Sequence, residues 1–390
     1  MKVKIAKPKA SRRSDVAPFI VMDVMTAAAN IEKTGGTVVH MEVGQPGHPA
    51  PATALAAAQR ALSHGRVPYT EALGLPSLRA RIAKHYAETY DVVVAPERVV
   101  VTTGSSGGFT LAFLAMLEPG DRVAISSPGY PAYRNILKAL SLEAVEIPTG
   151  PETRYALTGA LIAEAHAKMP IKAVLAMSPA NPTGVVMTPL ALKDLCETCA
   201  KLGLWFISDE IYHGLTYGET RCETALKFSD DAVIINSFSK YFCMTGWRVG
   251  WMVVPERLVR PIERLQQNLS ISVAYLSQVA AEAAFDGRQE MEDVRAGYAR
   301  NRSILMEGLP KIGLGSFLPV DGAFYVYIDV TTLSNDSADF CKRALHEAGV
   351  AMTPGLDFDL TEGHRFVRLS FAGTEQDMHD ALKKLRRWLA

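Results

Sequence analysis

The middle of the sequence alternates short apolar runs with helical patterns, and this alternation restricts the possible folds more than any other feature. Candidate strands lie at 98–103, 122–126, Ala173–Met177, 204–208, 232–236 and Gly250–Val253. Several are apolar almost throughout, which is typical of strands buried on both faces of a sheet. Strand–helix alternation of this kind predicts an α/β fold with a mostly parallel sheet flanked by helices.

The pattern changes after about residue 285, where a second and smaller domain is expected. The predicted order is a charged helix, a strand, a helix, a strand and a basic helix, at 290–309, 322–330, 338–349, 366–371 and Glu375–Leu389. A chain of 390 residues exceeds the length at which one core stops growing. An amphipathic helix over 16–31 is expected to join these later elements. We therefore predict an N-terminal arm, a large domain and a discontinuous α+β small domain, at 1–14, 46–284, and 15–45 with 285–390.

Composition argues against several classes of function. The 41 basic residues balance 41 acidic ones, so net charge favours neither nucleic acid nor a membrane surface as a partner. No apolar stretch reaches the roughly 18 residues that span a bilayer. The first 14 residues carry basic residues, which would allow a targeting peptide, but a simpler interpretation is a solvated arm that could lie on a partner subunit.

The cysteines indicate a reducing compartment, and we expect a cytoplasmic protein. Five cysteines in a long chain are too few, and odd in number, for a disulfide framework. Cys196 and Cys199 form a CxxC, but inside a helical pattern and without a second ligand pair. We interpret them as buried helix thiols and expect no metal site.

Ligands of such sheets bind at the carboxyl ends of the strands, so the residues that follow each strand are candidates for the site. Ser105 and Ser106 follow the first strand between glycines and precede a helix, as in a phosphate-binding turn. The spacing is not that of a dinucleotide fingerprint, and a plain strand-to-helix turn is equally compatible. Tyr130 follows the second strand and could lie flat on a planar ring.

The next two strands are followed by an amide and a carboxylate. Asn181 lies in a loop that Pro179, Pro182 and Gly184 make rigid. Asp209 ends an apolar run, where a carboxylate needs a partner such as a protonated ring nitrogen, or its pKa rises. As an alternative, Asp209 could simply cap the next helix.

A lysine follows the run at 232–236, where desolvation penalises its ammonium form. A covalent imine would remove that penalty and use Lys240 as an amine nucleophile. Arg248 offers a planar fork for a phosphate, and the hydroxyls of Ser237 and Ser239 stand beside Lys240 in the sequence.

The segment from Ser237 to Gly250, Ser-x-Ser-Lys-x5-Gly-x-Arg-x-Gly, closely resembles the cofactor-lysine signature of class I/II aminotransferases, in fold type I of the pyridoxal-phosphate enzymes. Cys243 departs from the pattern, since the family usually has a small or aliphatic residue there. His48 is also unusual, because the family has acidic or apolar residues beside its Gly-x-Pro turn, which the segment 43–46 resembles. The resemblance covers about residues 15–388 and implies an aspartate-aminotransferase-like fold. Five further motifs of the family occur in its order, at 43–46, 181–184, 209–212, 322–325 and 366–371.

The resemblance implies a role for each candidate. Lys240, Asp209 and Tyr212 would be catalytic, with Lys240 holding the cofactor and Asp209 keeping the pyridine nitrogen protonated. Arg368, Asn181 and main-chain groups near Gly44 would bind the substrate α-carboxylate. A family tyrosine, matched by Tyr69, reaches the phosphate of the neighbouring subunit, which implies a homodimer with shared sites. The other cofactor contacts would come from Ser105, Ser106, Tyr130, Asn181, Tyr212, Ser237, Ser239 and Arg248.

The preferred substrate is less constrained. The aspartate-selective branch has a second arginine downstream of the lysine, but no Lys or Arg occurs over 265–287. We therefore expect a neutral, apolar or aromatic L-amino acid as donor and 2-oxoglutarate or pyruvate as acceptor, although Arg12, Arg13 or His48 could supply a positive group.

Other activities remain as alternatives. An aspartate aminotransferase and a C–S β-lyase would keep both cofactor and fold. A regulatory module would need a DNA-binding domain, for which no room is expected ahead of residue 15. A nicotinamide oxidoreductase is disfavoured by the missing fingerprint.

Overall fold

A computed structural model describes residues 9–390, so residues 1–8 of the predicted arm lie outside the described part of the chain. Over 9–390, none of the helices combines the length and the apolar character needed to cross a bilayer. The helices are α1 Ile20–Lys33, α2 Ala52–Ser63, α3 Pro76–Tyr90, α4 Gly104–Met116, α5 Ala132–Ala139, α6 Gly159–Lys168, α7 Pro189–Leu202, α8 Glu256–Leu269, α9 Tyr275–Ala284, α10 Arg288–Gly308, α11 Ser337–Arg343 and α12 Glu375–Leu389. The strands are β1 Val39–His40, β2 Val99–Thr102, β3 Arg122–Ser127, β4 Glu143–Pro148, β5 Ala173–Met177, β6 Trp205–Asp209, β7 Val233–Ser237, β8 Gly250–Val253, β9 Tyr325–Asp329, β10 Val350–Ala351, β11 Thr353–Pro354 and β12 Phe366–Ser370.

The large sheet has seven strands in the order β2-β8-β7-β6-β5-β3-β4. The strands from β7 to β4 run parallel, and β8 is antiparallel to both of its neighbours. This confirms the predicted α/β class with a mostly parallel sheet. Because parallel strands end at one edge, the segments that follow β3, β5, β6 and β7 lie side by side there.

One strand of the large sheet, β4, was not among the predicted strands. It lies at the edge of the sheet, pairs only with β3 and carries Glu143 and Glu146. Edge strands often carry charged side chains and so lack a continuous apolar run. The apolar criterion that identified the central strands therefore did not detect β4.

The residues that begin and end helix α7 determine where strand β6 starts and thus where Asp209 lies. Thr188 caps its start by accepting a hydrogen bond from the Ala191 N–H, Pro189 takes the first position, and Gly203 ends it with φ of 66°. Cys196 and Cys199 lie buried on this helix, against the sheet. The turn at Gly203 leads directly into β6, whose last residue is Asp209.

The later elements form a second group with its own core. Strands β11, β12 and β9 make an antiparallel sheet, and β1 pairs with β10. Their core includes Val326 of β9, Leu305 of α10, Phe340 of α11 and Leu385 of α12. The predicted helix at 338–349 begins as α11 and continues through a π-helical turn, Ala344–Ala348.

Helix α1 packs on this second group, since Ala28 contacts Leu345 and Ala351. It begins at Ile20 rather than at residue 16, because Pro18 favours an extended residue before it and the Asp357 carboxylate accepts the Ile20 N–H at 3.1 Å. The division of the chain at residues 15, 45 and 284 stays a proposal.

Candidate active site

A cavity of about 600 Å³ lies at the carboxyl edge of the large sheet, facing the second group of elements. Its lining comes from the segments after β1, β3, β5, β6, β7 and β11, from the starts of α1 and α4, and from β9 and β12. Eleven of the predicted site residues line it: Gly44, Ser105, Ser106, Tyr130, Asn181, Asp209, Tyr212, Ser239, Lys240, Arg248 and Arg368.

Lys240 lies at the centre of this lining. Its Nζ donates a hydrogen bond to the Gly44 carbonyl oxygen at 2.6 Å. Burial, with the nearby charges of Arg368 and Arg248, lowers the pKa of Lys240 to about 8, and the Asp209 charge only partly opposes this. The free amine, which a nucleophile or a general base requires, is therefore far more populated near neutral pH than that of an exposed lysine.

Asp209 ends β6 with its carboxylate fully inside the protein. One oxygen, Oδ1, accepts the Ile211 N–H at 3.1 Å, and Oδ2 accepts the Tyr133 hydroxyl at 2.5 Å. Burial raises the pKa of Asp209 to about 7, although both hydrogen bonds favour the anion. A cationic partner inside the cavity would complete the stabilisation of this carboxylate.

Tyr133 was missed by the sequence analysis. It lies on α5, three residues after Tyr130, and its ring meets the Tyr130 ring edge-on with centroids 5.4 Å apart. Tyr130 lies just before α5 and Tyr133 on its first turn, so a second tyrosine this close to a predicted site residue was an available signal.

Tyr212 is hydrogen-bonded to Tyr325, the last residue of the motif at 322–325, to which the sequence had assigned no role. Its hydroxyl lies 2.6 Å from the hydroxyl of Tyr325, and both side chains are buried. Gly44 lies against this pair, because a Cβ on Gly44 would stand 1.8 Å from the Tyr325 hydroxyl oxygen. A side chain at position 44 would collide with the Tyr325 hydroxyl, so glycine is required at this point of the segment that contacts Lys240.

The N-terminus of α4 forms one end of the cavity. The side chain of Thr103 does not cap the helix, so main-chain N–H groups near Ser105 and Ser106 point outward unopposed. Arg248 lies over Gly104, since a Cβ on Gly104 would stand 2.5 Å from Arg248 Nη2. With Ser239, these groups form a cationic, donor-rich end suited to a phosphate.

Two predicted contacts do not line the cavity. Ser237 lies beneath it, with its hydroxyl 2.9 Å from Ser239 Oγ and 3.1 Å from the Val249 carbonyl oxygen. Tyr69 is 79% exposed and lies elsewhere on the surface. Its proposed contact with a neighbouring subunit stays a prediction.

Arg368 is held in place before any ligand binds. Its Nη1 donates to Asn181 Oδ1 at 3.0 Å, and its Nη2 donates to the Glu42 carbonyl oxygen and to Thr353 Oγ1. The rings of Tyr325 and Phe358 lie 4.4 and 4.7 Å from the guanidinium carbon. The buried Nε has no hydrogen-bond partner within residues 9–390, so it can meet a carboxylate.

The outer wall of the cavity comes from residues that the sequence analysis did not assign. Phe19, Val21 and Met22, at the start of α1, stand with Phe358 and Asp357 in the lining. Helical periodicity placed α1 in the small domain but carried no signal that its first turn faces the site.

The donor set fits pyridoxal phosphate. The α4 end supplies cationic and N–H donors for a phosphate, and the buried Asp209 supplies an anion for a protonated pyridine nitrogen. Between them lie an aromatic ring, Tyr130, and the primary amine of Lys240.

Comparison with known proteins agrees with this geometry. The family described as aminotransferase class I and II matches residues 37–385. The valine–pyruvate aminotransferase of Mycobacterium tuberculosis is 48% identical over 97% of both chains. An aspartate aminotransferase of Sulfurisphaera tokodaii is 32% identical, over 93% of this chain and 92% of its own.

Solved structures give the same result. An aminotransferase from Mycobacterium tuberculosis superposes with a TM-score of 0.96 at 47% identity, over 98% of this chain and 99% of the other. The predicted resemblance and the aspartate-aminotransferase-like fold are thereby confirmed, and enzymes of this family depend on pyridoxal phosphate. The chain belongs to the class I and II aminotransferases and transfers an amino group from an amino acid to a 2-oxo acid.

Proposed function

We propose that the donor is a neutral, apolar L-amino acid, that pyruvate is an acceptor, and that the reaction takes place at Lys240 in the cavity. The proposal rests on which positively charged side chains line the cavity. Over residues 9–390, the cations that line the cavity are Lys240, Arg248 and Arg368, and each has a use that does not involve a substrate side chain.

Pyridoxal phosphate would be held from two ends. Ser105, Ser106, Ser239 and Arg248 would bind its phosphate, with Ser237 supporting Ser239 from below. Asp209 would keep the pyridine nitrogen protonated, while the remaining contacts come from the ring of Tyr130 and the polar groups of Asn181, Tyr212 and Lys240. When bound, the cofactor supplies an electron sink that weakens the bonds at the substrate Cα.

Arg368 would bind the α-carboxylate and so select the bond that reacts. Its Nε–H and one Nη1–H remain for the carboxylate oxygens, since its other N–H groups donate to Asn181, Glu42 and Thr353. A fixed carboxylate determines which substituent of Cα lies perpendicular to the ring plane. Orientation by Arg368 would thus favour loss of the Cα proton over loss of the carboxylate.

Lys240 would hold the cofactor and, once released by the incoming amino group, take the proton from the substrate Cα. Its pKa of about 8 leaves about a tenth of the lysine as free amine at pH 7, and more as the pH rises. The Gly44 carbonyl, 2.6 Å from Nζ, orients this amine from the side of β1.

The outer wall supports an apolar side chain. Phe19, Val21, Met22 and Phe358 present carbon surface, and no described cation of this chain remains there to bind a distal carboxylate. The 48% identical relative is a valine–pyruvate aminotransferase, whose donor and acceptor are of this kind.

A homodimer with Tyr69 at its interface is also part of the proposal. The Thr70 N–H donates to Ser272 Oγ at 3.2 Å, so the segment that carries Tyr69 lies beside the end of α8. Exposed apolar side chains group along these two segments, and patches of this kind are typical of interaction surfaces. They are Leu62, Val67, Tyr69, Leu269 and Ile271.

A cytoplasmic location is proposed from the thiols. Cys196, Cys199, Cys222, Cys243 and Cys341 are all unpaired, as in proteins kept in a reducing compartment.

A donor and acceptor panel tests the function. The cofactor-loaded protein is supplied with valine, alanine, phenylalanine or aspartate, each with pyruvate or 2-oxoglutarate, and the amino acid and oxo acid formed are measured. We expect valine with pyruvate to exceed aspartate with either acceptor. A strong preference for aspartate would overturn the substrate proposal, and release of ammonia from cystathionine without an acceptor would point to a β-lyase.

A further inference from the structure

A buried carboxylate lies next to the Arg368 clamp and takes no direct part in it. The side chain of Glu42 is 1% exposed, and its Oε1 lies 2.8 Å from His40 Nδ1. Its Oε2 has no hydrogen-bond partner among residues 9–390. A carboxylate this deeply buried needs a nearby positive charge, and His40 is the one group in position to provide it among the hydrogen bonds described.

His40 connects this buried carboxylate to the surface. Its side chain is 39% exposed, and its Nε2 lies 3.2 Å from Glu32 Oε1 on α1. Both ring nitrogens therefore face carboxylate oxygens, an arrangement in which only the doubly protonated imidazolium donates on both sides. Burial lowers the pKa of His40, but the hydrogen bonds and charges of Glu42 and Glu32 outweigh it and raise the pKa above 6.5.

The other elements packed on β1 leave this bridge undisturbed. Strand β10 presents Val350 and Ala351 beside Val39 and His40. From α12, Lys384 donates to the carbonyl oxygens of Thr37 and Gly349. The charges that act on His40 thus come from Glu32 on α1 and Glu42 on its own segment.

The backbone that Glu42 anchors supplies acceptors to two side chains of the site. The Glu42 carbonyl oxygen accepts from Arg368 Nη2 and from Thr353 Oγ1, the latter at 2.8 Å. Two residues further on, the Gly44 carbonyl accepts from Lys240. A shift of this segment would move the acceptor that orients the Arg368 guanidinium.

We propose that His40, which does not line the cavity, is a positioning residue for substrate binding. Its imidazolium fastens the Glu42 side chain and thereby holds the Glu42 carbonyl against Arg368. The inference rests on the proposed role of Arg368 as the α-carboxylate clamp. When His40 loses its proton, its ring can no longer donate to both Glu42 and Glu32, the segment relaxes, and the amino acid binds more weakly.

The first test is the pH profile of KM and kcat for the amino donor. For the native protein, KM should rise as pH increases through the raised pKa of His40, while kcat changes little from this cause. His40→Ala should show a KM about tenfold higher already at neutral pH, with kcat within about twofold and the pH-dependent rise abolished. Glu32→Gln removes one of the charges that raise the pKa of His40, so it should move the rise in KM to lower pH. His379→Ala, at an exposed histidine on α12, is the matched control and should change KM less than about twofold.

A double-mutant cycle separates positioning from general damage. Glu42→Gln removes the buried charge, so His40→Ala made in that background should change KM less than about twofold. An equal increase of KM with and without the Glu42 carboxylate would overturn the proposal. Unfolding temperatures measured for each variant identify any loss of the fold.

A binding measurement independent of turnover completes the test. Isovalerate, an unreactive monocarboxylate, is titrated into the cofactor-loaded protein while the cofactor absorbance is recorded. His40→Ala should weaken its binding about as much as it raises KM; unchanged affinity would refute the inference. A native protein without aminotransfer activity would instead contradict the proposed function, so the two failures are distinguishable.

Discussion

The inner and outer halves of the cavity are built in different ways. The inner half, around Lys240, Asp209 and Arg248, consists of residues that follow parallel strands, and each is fixed by main-chain or buried side-chain contacts. The outer half consists of Phe19, Val21 and Met22 at the start of α1, which are partly open to solvent, together with Asp357 and Phe358. The inner half fits a cofactor shared by a whole family, and in the proposed function the outer half would meet the substrate side chain, which differs between family members.

This comparison implies that substitutions should lose effect from the inside outward. Inner residues should change the rate of the chemical step or the binding of every substrate. Outer residues should change only the preference among amino acids.

The largest effect is expected at Lys240. Lys240→Ala removes the amine that would hold the cofactor and move the proton, so kcat should fall about 10⁴-fold. Steady-state transamination, with cofactor absorbance recorded in parallel, measures it. Lys193→Ala, an exposed lysine on α7, is the control and should leave kcat unchanged. Turnover that persists in Lys240→Ala would end the proposed assignment.

The next largest effect concerns Arg368, at the boundary of the two halves. Arg368→Lys keeps the charge but loses the planar fork and the contacts to Asn181 and Glu42. We expect kcat/KM to fall about 100-fold for every amino donor, because each has the same α-carboxylate. A loss confined to one donor would mean that Arg368 reads the side chain instead.

Tyr133 tests whether the inner half depends on residues beyond the family motifs. Its hydrogen bond lowers the pKa of Asp209, which burial has raised to about 7. Tyr133→Phe should therefore raise that pKa further and leave less carboxylate as pH falls. Activity should drop about tenfold, most strongly on the acidic side of the pH profile. Tyr155→Phe, outside the cavity, serves as control, and a uniform loss at all pH values would contradict the electrostatic role.

The same division governs what the sequence predicts. The inner residues belong to loops after apolar strands, where strand order and spacing bring them together without further information. Tyr133 and Tyr325 enter the site through hydrogen bonds between distant segments, 76 and 113 residues apart in sequence from their partners. Phe19 and Phe358 reach the cavity because α1 and the segment after β11 turn toward it, and that orientation depends on packing that no local pattern records.

The smallest effect is expected in the outer wall. Phe19→Ala removes apolar surface that would contact the side chain of the donor, while Arg368 and Lys240 remain in place. KM for valine or phenylalanine should rise about fivefold, with kcat nearly unchanged, and KM for alanine should change less because its methyl group reaches less far. The ratio of kcat/KM between phenylalanine and alanine measures this directly. Equal changes for both donors would show that the first turn of α1 supports the whole cavity, and that its two halves are not independent.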